Sequence, residues 1–172
     1  MKATPDYPTF DLIDHNGARV TSADFRGKYV LVFFGFTNCE MVCPRALSRL
    51  TEVLKQLGPD SDNIQGLYVT VDPDRDTPAA MKRFLAERAP AFIGLTGTAE
   101  QIAAVAEAFR VFARRVEDPA APGGYRMPHT AITYFLGPDG QFITHFGDGV
   151  SGEVVTSRIR DLLTNTAHQA NT

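Results

Sequence analysis

The sequence predicts an α/β fold in which helices flank a central mixed sheet, with an N-terminal β-hairpin and a mid-chain insertion. The apolar run at residues 29–36 does not alternate with polar residues, as expected of a strand covered on both faces. Segments with the three- and four-residue apolar spacing of helices separate it from the next strand, which favours parallel pairing. A turn at 137–140 between two strand-like segments predicts an additional antiparallel hairpin.

The first part of the chain predicts a hairpin, a strand and a helix. Apolar residues on both sides of Asn16 and Gly17 predict a short hairpin with a two-residue turn. After the strand at 29–36, leucines at three- and four-residue steps mark one helical face, and Gly58 ends that helix. These leucines are Leu47, Leu50, Leu54 and Leu57.

The middle of the chain predicts a strand at residues 67–71 and two more helices. Thr77 is a favourable N-cap and Pro78 suits the first helical position, so a helix begins there and extends to about Ala89. A further helix begins with a capping box, in which two side chains bond each other's backbone N–H groups. The capping-box residues are Thr98 and Gln101.

The last third of the chain predicts a loop, a hairpin and a helix. The loop at 117–128 is rich in Pro, Ala and Gly. The strands at 130–136 and 141–146 follow it, joined by the turn at 137–140. The complete order of elements is that of a thioredoxin-like fold.

Composition predicts one domain at residues 1–166 and a flexible tail at 167–172. A chain of 172 residues with 44% apolar content can bury one good core. The net charge of −3 argues against nucleic acid as a partner. No apolar run approaches the ~18 residues that cross a bilayer, so the chain taken by itself is expected to be soluble.

The only two cysteines lie between the strand at 29–36 and the helix that follows it. Cys39 and Cys43 are four residues apart, a spacing that on a helix places the Cβ atoms ~5–6 Å apart on one face. Such thiols can form a disulfide or hold one ion, and a helix amino terminus favours the reactive thiolate. Because Cys43 continues the leucine stripe, we expect Cys39 to be the more exposed sulfur. The less favoured alternative is that both are small buried hydrophobic residues.

His129 is the third candidate ligand. Ligands of open α/β sheets bind at the carboxyl ends of the parallel strands, and an antiparallel strand at 130–136 would begin at that edge. His129 is therefore expected near Cys39 and Cys43. Two thiolates and one imidazole suit Cu(I), and can hold Cu(II) with an added oxygen ligand. A surface or capping histidine stays open as the alternative.

The remaining candidate ligands carry weaker signals. The other histidines are predicted to be solvated, and these are His15, His145 and His168. Two methionines are predicted to fill gaps in the packing near the site, Met41 and Met127. Turn and N-cap roles are predicted for Asp72, Asp74 and Asp76, of which only Asp72 lies at the expected site. A solvated face is predicted for Arg110, Arg114 and Arg115.

Three stretches together form a specific pattern that covers nearly the whole predicted domain. They are F-R-G-K-Y-V-L-V-F-F-G-F-T-N-C-E-M-V-C-P at 25–44, V-D-P-D-R-D-T-P at 71–78 and H-T-A-I-T-Y-F-L-G-P-D-G at 129–140. The chain thereby resembles the Sco/SenC family of copper-binding proteins, which assist assembly of the copper centre in cytochrome c oxidase. The resemblance implies that Cys39, Cys43 and His129 are the copper ligands.

The resemblance also implies a copper chaperone rather than a turnover enzyme. The expected partner is the copper-binding subunit of cytochrome c oxidase, with other copper chaperones or thiol reductases as further candidates, and a monomer is expected. Two alternatives stay open. One is a thiol-disulfide oxidoreductase in which Cys39 attacks and Cys43 resolves. The other is a redox or copper sensor.

The family implies a location outside the cytoplasm, in the periplasm or an equivalent space. It also implies an N-terminal membrane anchor, which we expect to precede the residues of this sequence. Two residues depart from the family pattern. Glu40 stands where a proline commonly follows the first cysteine, and its charge is expected to raise the pKa of the thiols. Pro128 replaces an acidic residue before the histidine and is expected to stiffen the approach to His129.

Overall fold

The computed structural model of the chain describes residues 8–39 and 42–170, except for the side chains of residues 42 and 167–170. None of the helices in these ranges is long and apolar enough to span a membrane. The α-helices are α1 (Val42–Leu57), α2 (Pro78–Arg88), α3 (Ala99–Ala108) and α4 (Gly152–Ala170). The strands are β1 (Asp11–Asp14), β2 (Arg19–Thr21), β3 (Tyr29–Gly35), β4 (Ile64–Thr70), β5 (Phe92–Thr96), β6 (Val116–Glu117), β7 (Tyr125–Arg126), β8 (Ile132–Leu136) and β9 (Phe142–Gly147).

Seven of these strands form one mixed sheet in the order β2-β1-β5-β4-β3-β8-β9, and β6 pairs with β7 separately. At the centre, β3, β4 and β5 are parallel, while β1 and β8 run antiparallel beside them. Gly35 at the end of β3 pairs with Thr70 at the end of β4, and Phe33 pairs with Thr133 near the start of β8. The predicted parallel centre and antiparallel neighbour are confirmed, and the three strand ends meet at one edge.

Two buried clusters meet at β3, whose seven residues are all buried. The larger cluster includes Val30, Val32 and Phe34 together with residues of α1, α2 and α3. The smaller cluster packs Leu31 against Phe135 and includes residues of α1 and α4. Because β3 is covered on both faces, packing holds its carboxyl end in place where the cysteine segment begins.

The predicted helix starts are confirmed. At α2, the Thr77 hydroxyl accepts a hydrogen bond from the Ala80 N–H at 3.2 Å. At α3, Thr98 and Gln101 form the reciprocal bonds of a capping box. Both helices therefore begin where the local sequence supplies a cap.

Two details differ from the predictions. The first hairpin turns through three residues rather than two, because the Asp14 N–H bonds the Ala18 carbonyl oxygen. Gly17 closes this turn with a φ of 84°, in the left-handed region that favours glycine. The strand β5 was not predicted, since its five residues are few and include Gly94.

Candidate metal centre

The two thiols lie at the junction of β3 and α1. Cys43 occupies the first turn of α1, and its backbone N–H donates to the Cys39 sulfur at 3.5 Å. Cys43 is completely buried and Cys39 partly exposed, which confirms the predicted difference in exposure. The Cys39 sulfur thus has the role of an N-cap acceptor, facing the positive end of the helix dipole.

Cys43 is held strongly in its protonated form. The pKa of Cys43 is raised by its hydrogen bond with the Cys39 sulfur, by burial and by the charge of Cys39. The Phe36 N–H and the Tyr68 hydroxyl act in the opposite direction and lower the pKa of Cys43. In the metal-free protein the Cys43 S–H therefore serves as a donor to Cys39, and binding a metal through both sulfurs requires that proton to leave.

A buried carboxylate anchors the segment that carries Cys39. Asp76 is fully buried and accepts hydrogen bonds from the Thr37 N–H at 3.0 Å, from the Thr37 hydroxyl, and from the Thr70 hydroxyl at 2.6 Å. Burial raises the pKa of Asp76, although the bonds from Thr37 and Thr70 oppose that shift. The backbone N–H of Asp76 closes the predicted turn by bonding the Asp72 carbonyl oxygen at 3.0 Å, but the anchoring role of its side chain was not predicted. Its position shortly after β4 is the sequence signal that could have indicated its role.

Asp72 fastens the loop at 117–128 to the end of β4. Its carboxylate accepts from the Tyr125 hydroxyl at 2.7 Å and from the Arg75 guanidinium at 2.5 Å. The Arg75 guanidinium in turn lies 3.7 Å from the centre of the Tyr125 ring and donates to the Pro122 carbonyl. Asp72 therefore lies at the predicted edge of the sheet and holds the wall of the site. Asp74 is exposed in the turn, as expected.

His129 follows the loop and pairs through its backbone with Ala113. Its Nδ1 lies 3.0 Å from the Met127 carbonyl oxygen, and its ring meets Phe36 edge-on at 5.7 Å between centroids. Because a carbonyl only accepts, Nδ1 carries a proton, so that in the neutral imidazole the lone pair lies on Nε2. Nε2 is buried and has no hydrogen-bond partner within the described part of the chain. A backbone-anchored Nδ1 with an unpaired Nε2 is the usual preparation of a histidine for metal binding.

One open pocket of about 620 Å³ contains both kinds of candidate ligand. Cys39 and His129 line it, while Cys43 lies buried beneath. Within residues 8–39 and 42–170, no three His, Cys, Asp or Glu side chains are close enough to hold a metal. The structure thus brings Cys39 to Cys43, and Cys39 and His129 to one pocket, without a closed three-ligand cluster.

The other sequence candidates lie away from such a cluster. His15 is half-buried and accepts from the Gly94 N–H at 2.9 Å, so the prediction of a solvated His15 is wrong. His145 is exposed and stacks on Phe142, as predicted for an outward residue. Met127 lines the pocket and packs against the core. The predictions for Glu40, Met41 and the His168 side chain concern positions outside the described residues.

The predicted arginine face is exposed beside the pocket. Arg110, Arg114 and Arg115 are all exposed, which confirms that prediction. The Arg115 guanidinium pairs with Glu117 at 2.7 Å and lies 3.8 Å from the centre of the Tyr125 ring. Pro128, next to the histidine, accepts a backbone hydrogen bond from Arg114.

A family model identifies the group of proteins to which this pattern belongs. The model described as SCO1/SenC matches residues 2–164. The chain belongs to this family. The predicted resemblance is confirmed over nearly the whole chain.

The relatives of this Sco protein agree in sequence and in fold. It is 42% identical over 156 residues to the mitochondrial SCO2 homolog of Bos taurus, covering 88% of this chain and 57% of that relative. The chain thus spans less than two thirds of that relative's length. A solved structure of Bradyrhizobium japonicum ScoI with copper bound is similar with a TM-score of 0.80 and 39% identity, covering 89% of this chain and 96% of that one.

A second solved neighbour is Arabidopsis thaliana ScoI, crystallised with copper bound. It has a TM-score of 0.86 and 29% identity, and the match covers 91% of this chain and 97% of that one. These similarities confirm the predicted thioredoxin-like fold. The solved neighbours of this Sco protein therefore include copper-bound Sco proteins.

Proposed function

We propose that this Sco protein binds one copper ion through Cys39, Cys43 and His129 and delivers it to the copper-binding subunit of cytochrome c oxidase. The observation that carries the proposal is the unpaired Nε2 of His129 in the pocket that Cys39 lines. Two sulfurs and one imidazole form a soft to borderline donor set that suits Cu(I). Copper-bound Sco proteins among the solved neighbours support the same cargo.

Each of the three residues would supply one ligand to the ion. Cys39 offers the accessible sulfur, and Cys43 offers the second sulfur once its proton is displaced. His129 completes the set by moving with its loop, because the three side chains are not yet within ligand distance of one point. A ligand that must move toward the ion can also move away, which suits a protein that releases its cargo.

A titration with Cu(I) in competition with a chelator tests the ligand set. The reduced protein should bind one equivalent, and His129→Ala should weaken binding at least ~10-fold, the lower range for losing a metal-site partner. His145→Ala is the matched control, because His145 is exposed and stacks on Phe142. Absence of a tight one-to-one site in the wild-type protein would end the proposal.

The asymmetry of the thiols favours a second function, reduction of a partner disulfide. The Cys39 thiolate would attack one partner sulfur and release the other as a thiolate that takes up a proton. Cys43 would then lose its proton and attack the Cys39 sulfur. That step breaks the mixed disulfide, releases the second partner thiolate and leaves a Cys39–Cys43 disulfide. His129→Ala should retain this activity while losing copper, whereas wild-type copper transfer without any reductase activity would exclude it.

We also propose that the protein works outside the cytoplasm, where an oxidising environment makes thiol chemistry reversible. The name of a relative supports this location, since the SCO2 homolog of Bos taurus is described as mitochondrial. Cell fractionation of the tagged full-length protein, with a cytoplasmic marker as control, tests it. Recovery with the cytoplasmic marker would contradict it.

A further inference from the structure

A methionine lies in the wall of the pocket that Cys39 and His129 line. Met127 is a lining residue of that pocket, and it also packs against the larger buried cluster. Its side chain is only half-buried, whereas Met81 in the same cluster is completely buried. A role in core packing does not require a methionine to reach the pocket. The thioether of Met127 therefore has both a hydrophobic contact and access to the site.

Met127 and His129 lie on the same face of their segment. Tyr125, Met127 and His129 are buried or half-buried, while Arg126 and Pro128 between them are exposed. Alternate residues of an extended chain share a face and are about 6.6 Å apart. The Met127 carbonyl oxygen also accepts from the His129 Nδ1 at 3.0 Å. The thioether and the imidazole are thus neighbours on the side of the segment that forms the pocket wall.

The two side chains differ in their freedom to move. The His129 ring is held by its bond to the Met127 carbonyl oxygen and by its edge-on contact with Phe36. A methionine side chain is unbranched and has three rotatable bonds. Met127 can therefore bring its sulfur toward an ion by side-chain rotation, whereas His129 approaches only together with its backbone.

The other polar residues of the pocket are poor donors for Cu(I). Asp118 offers a carboxylate that pairs with Arg126 at 2.9 Å, and Asn38 offers an amide. Oxygen donors of these kinds suit hard cations, while thioethers and thiolates select Cu(I). A thioether also carries no proton that has to leave before it binds a metal. Its chemistry therefore makes Met127 the best match to Cu(I) among these three residues.

We propose that Met127 is an additional, exchangeable Cu(I) ligand, which occupies the third position beside Cys39 and Cys43 whenever His129 is withdrawn. This inference rests on the proposed copper function. In the exchange, the bond between copper and the thioether sulfur breaks as the bond between copper and the His129 Nε2 forms. Both donors are neutral, so no proton or electron is transferred. The cargo then keeps three ligands while the histidine moves.

The first test measures Cu(I) affinity by chelator competition in two backgrounds. Adding Met127→Leu to His129→Ala should weaken binding a further ~10-fold, but only about threefold in the protein that keeps its histidine, which already supplies the third ligand. Leucine conserves the volume of methionine, and Met81→Leu is the matched control that should leave affinity unchanged. An unchanged affinity on adding Met127→Leu to His129→Ala would overturn the inference. Equal losses in the two backgrounds would overturn the exchange.

The second test detects the bond itself. His129→Ala protein labelled with selenomethionine and loaded with one Cu(I) should show selenium bonded to copper by X-ray absorption spectroscopy. The selenium signal should disappear when Met127→Leu is added and persist when Met81→Leu is added. Met41 lies between the two cysteines in sequence, so Met41→Leu is measured as well. Loss of the signal with Met41→Leu and its persistence with Met127→Leu would overturn the inference.

This inference and the proposed copper function can fail separately. A wild-type protein that binds no Cu(I) would overturn both. If the wild-type protein binds one Cu(I) and His129→Ala weakens that binding, but no selenium is bonded to copper in the labelled variant, the role of Met127 is overturned and the copper function stands.

Discussion

The two halves of the site are built in different ways. The cysteine half lies between β3 and α1, where Asp76 receives hydrogen bonds from Thr37 and Thr70. The histidine half lies after a long loop, where His129 is half-buried and its Nε2 has no partner among the described residues. One side of the pocket is thus held by buried hydrogen bonds, whereas the other side carries a histidine nitrogen that has no partner among the described residues.

The histidine half depends on few contacts. Backbone bonds join Thr130 to Phe112 at 2.8 Å and Arg114 to Pro128 at 3.1 Å, and the Phe112 N–H donates to the Thr130 hydroxyl at 2.9 Å. The two halves are linked where the Tyr125 hydroxyl donates to Asp72. Short stretches of backbone pairing, such as the one between residues 112–114 and 128–130, open more easily than the core of a sheet.

The largest expected effect comes from removing the anchor of the cysteine half. Asp76→Ala removes the acceptor of the buried Thr70 hydroxyl and of the half-buried Thr37 hydroxyl, so the free energy of unfolding should fall by about 3 kcal/mol. Urea denaturation of the reduced protein measures it. Asp74→Ala, at an exposed turn position, should change stability by less than about 0.5 kcal/mol. If the two substitutions changed the free energy of unfolding equally, the hydrogen bonds to Asp76 would contribute nothing to stability.

The next effect concerns the two thiols within the preorganised half. Because Cys43 is buried and its pKa is strongly raised, iodoacetamide should modify Cys39 about 50-fold faster in the native reduced protein. Peptide mass spectrometry at successive times measures both rates. In urea the rates should agree within about threefold, since denaturation removes the burial. Equal rates of modification of Cys39 and Cys43 in the native protein would contradict the expected difference in reactivity between the two thiols.

A smaller effect is expected at the link between the halves. Tyr125→Phe removes the hydroxyl donor to the buried Asp72 carboxylate, which should cost about 1 kcal/mol of stability. Hydrogen exchange at 117–128 should become faster, while the Cys39 alkylation rate stays at its wild-type value. A faster Cys39 reaction would show instead that the two halves are not separable.

The smallest effect is a dependence on pH. Since the pKa of Asp76 is raised, the native state binds its proton more tightly than the unfolded chain does. The stabilisation from Asp76 is therefore complete below the usual carboxyl pKa of about 3.9 and is lost as pH rises through the raised value. Relative to wild type, Asp76→Asn should therefore gain stability as pH rises above about 4, measured by urea denaturation. If Asp76→Asn instead lost stability relative to wild type as pH rises, the pKa of Asp76 would not be raised in the native state.

The cysteine half could be predicted well because its signals are local. The apolar run before Cys39 and the leucine spacing after Cys43 lie within a few helical turns of the thiols, and they predict strand, turn and helix directly. The position of His129 followed from strand order, and the pairing of β8 with β3 confirms that strand order. Asp76 was missed because its partner Thr37 is 39 residues away.

The sequence alone determined the thioredoxin-like plan, the family, and the burial of Cys43 beneath a more exposed Cys39. Hydrophobic periodicity and cap residues act over short stretches of chain, so they can be interpreted without a structure. Only the tertiary structure decided that Asp76 anchors the cysteine segment and that Asp72 holds the loop through Tyr125. These contacts join residues far apart in sequence, and packing of the complete core selects which of many possible partners meet.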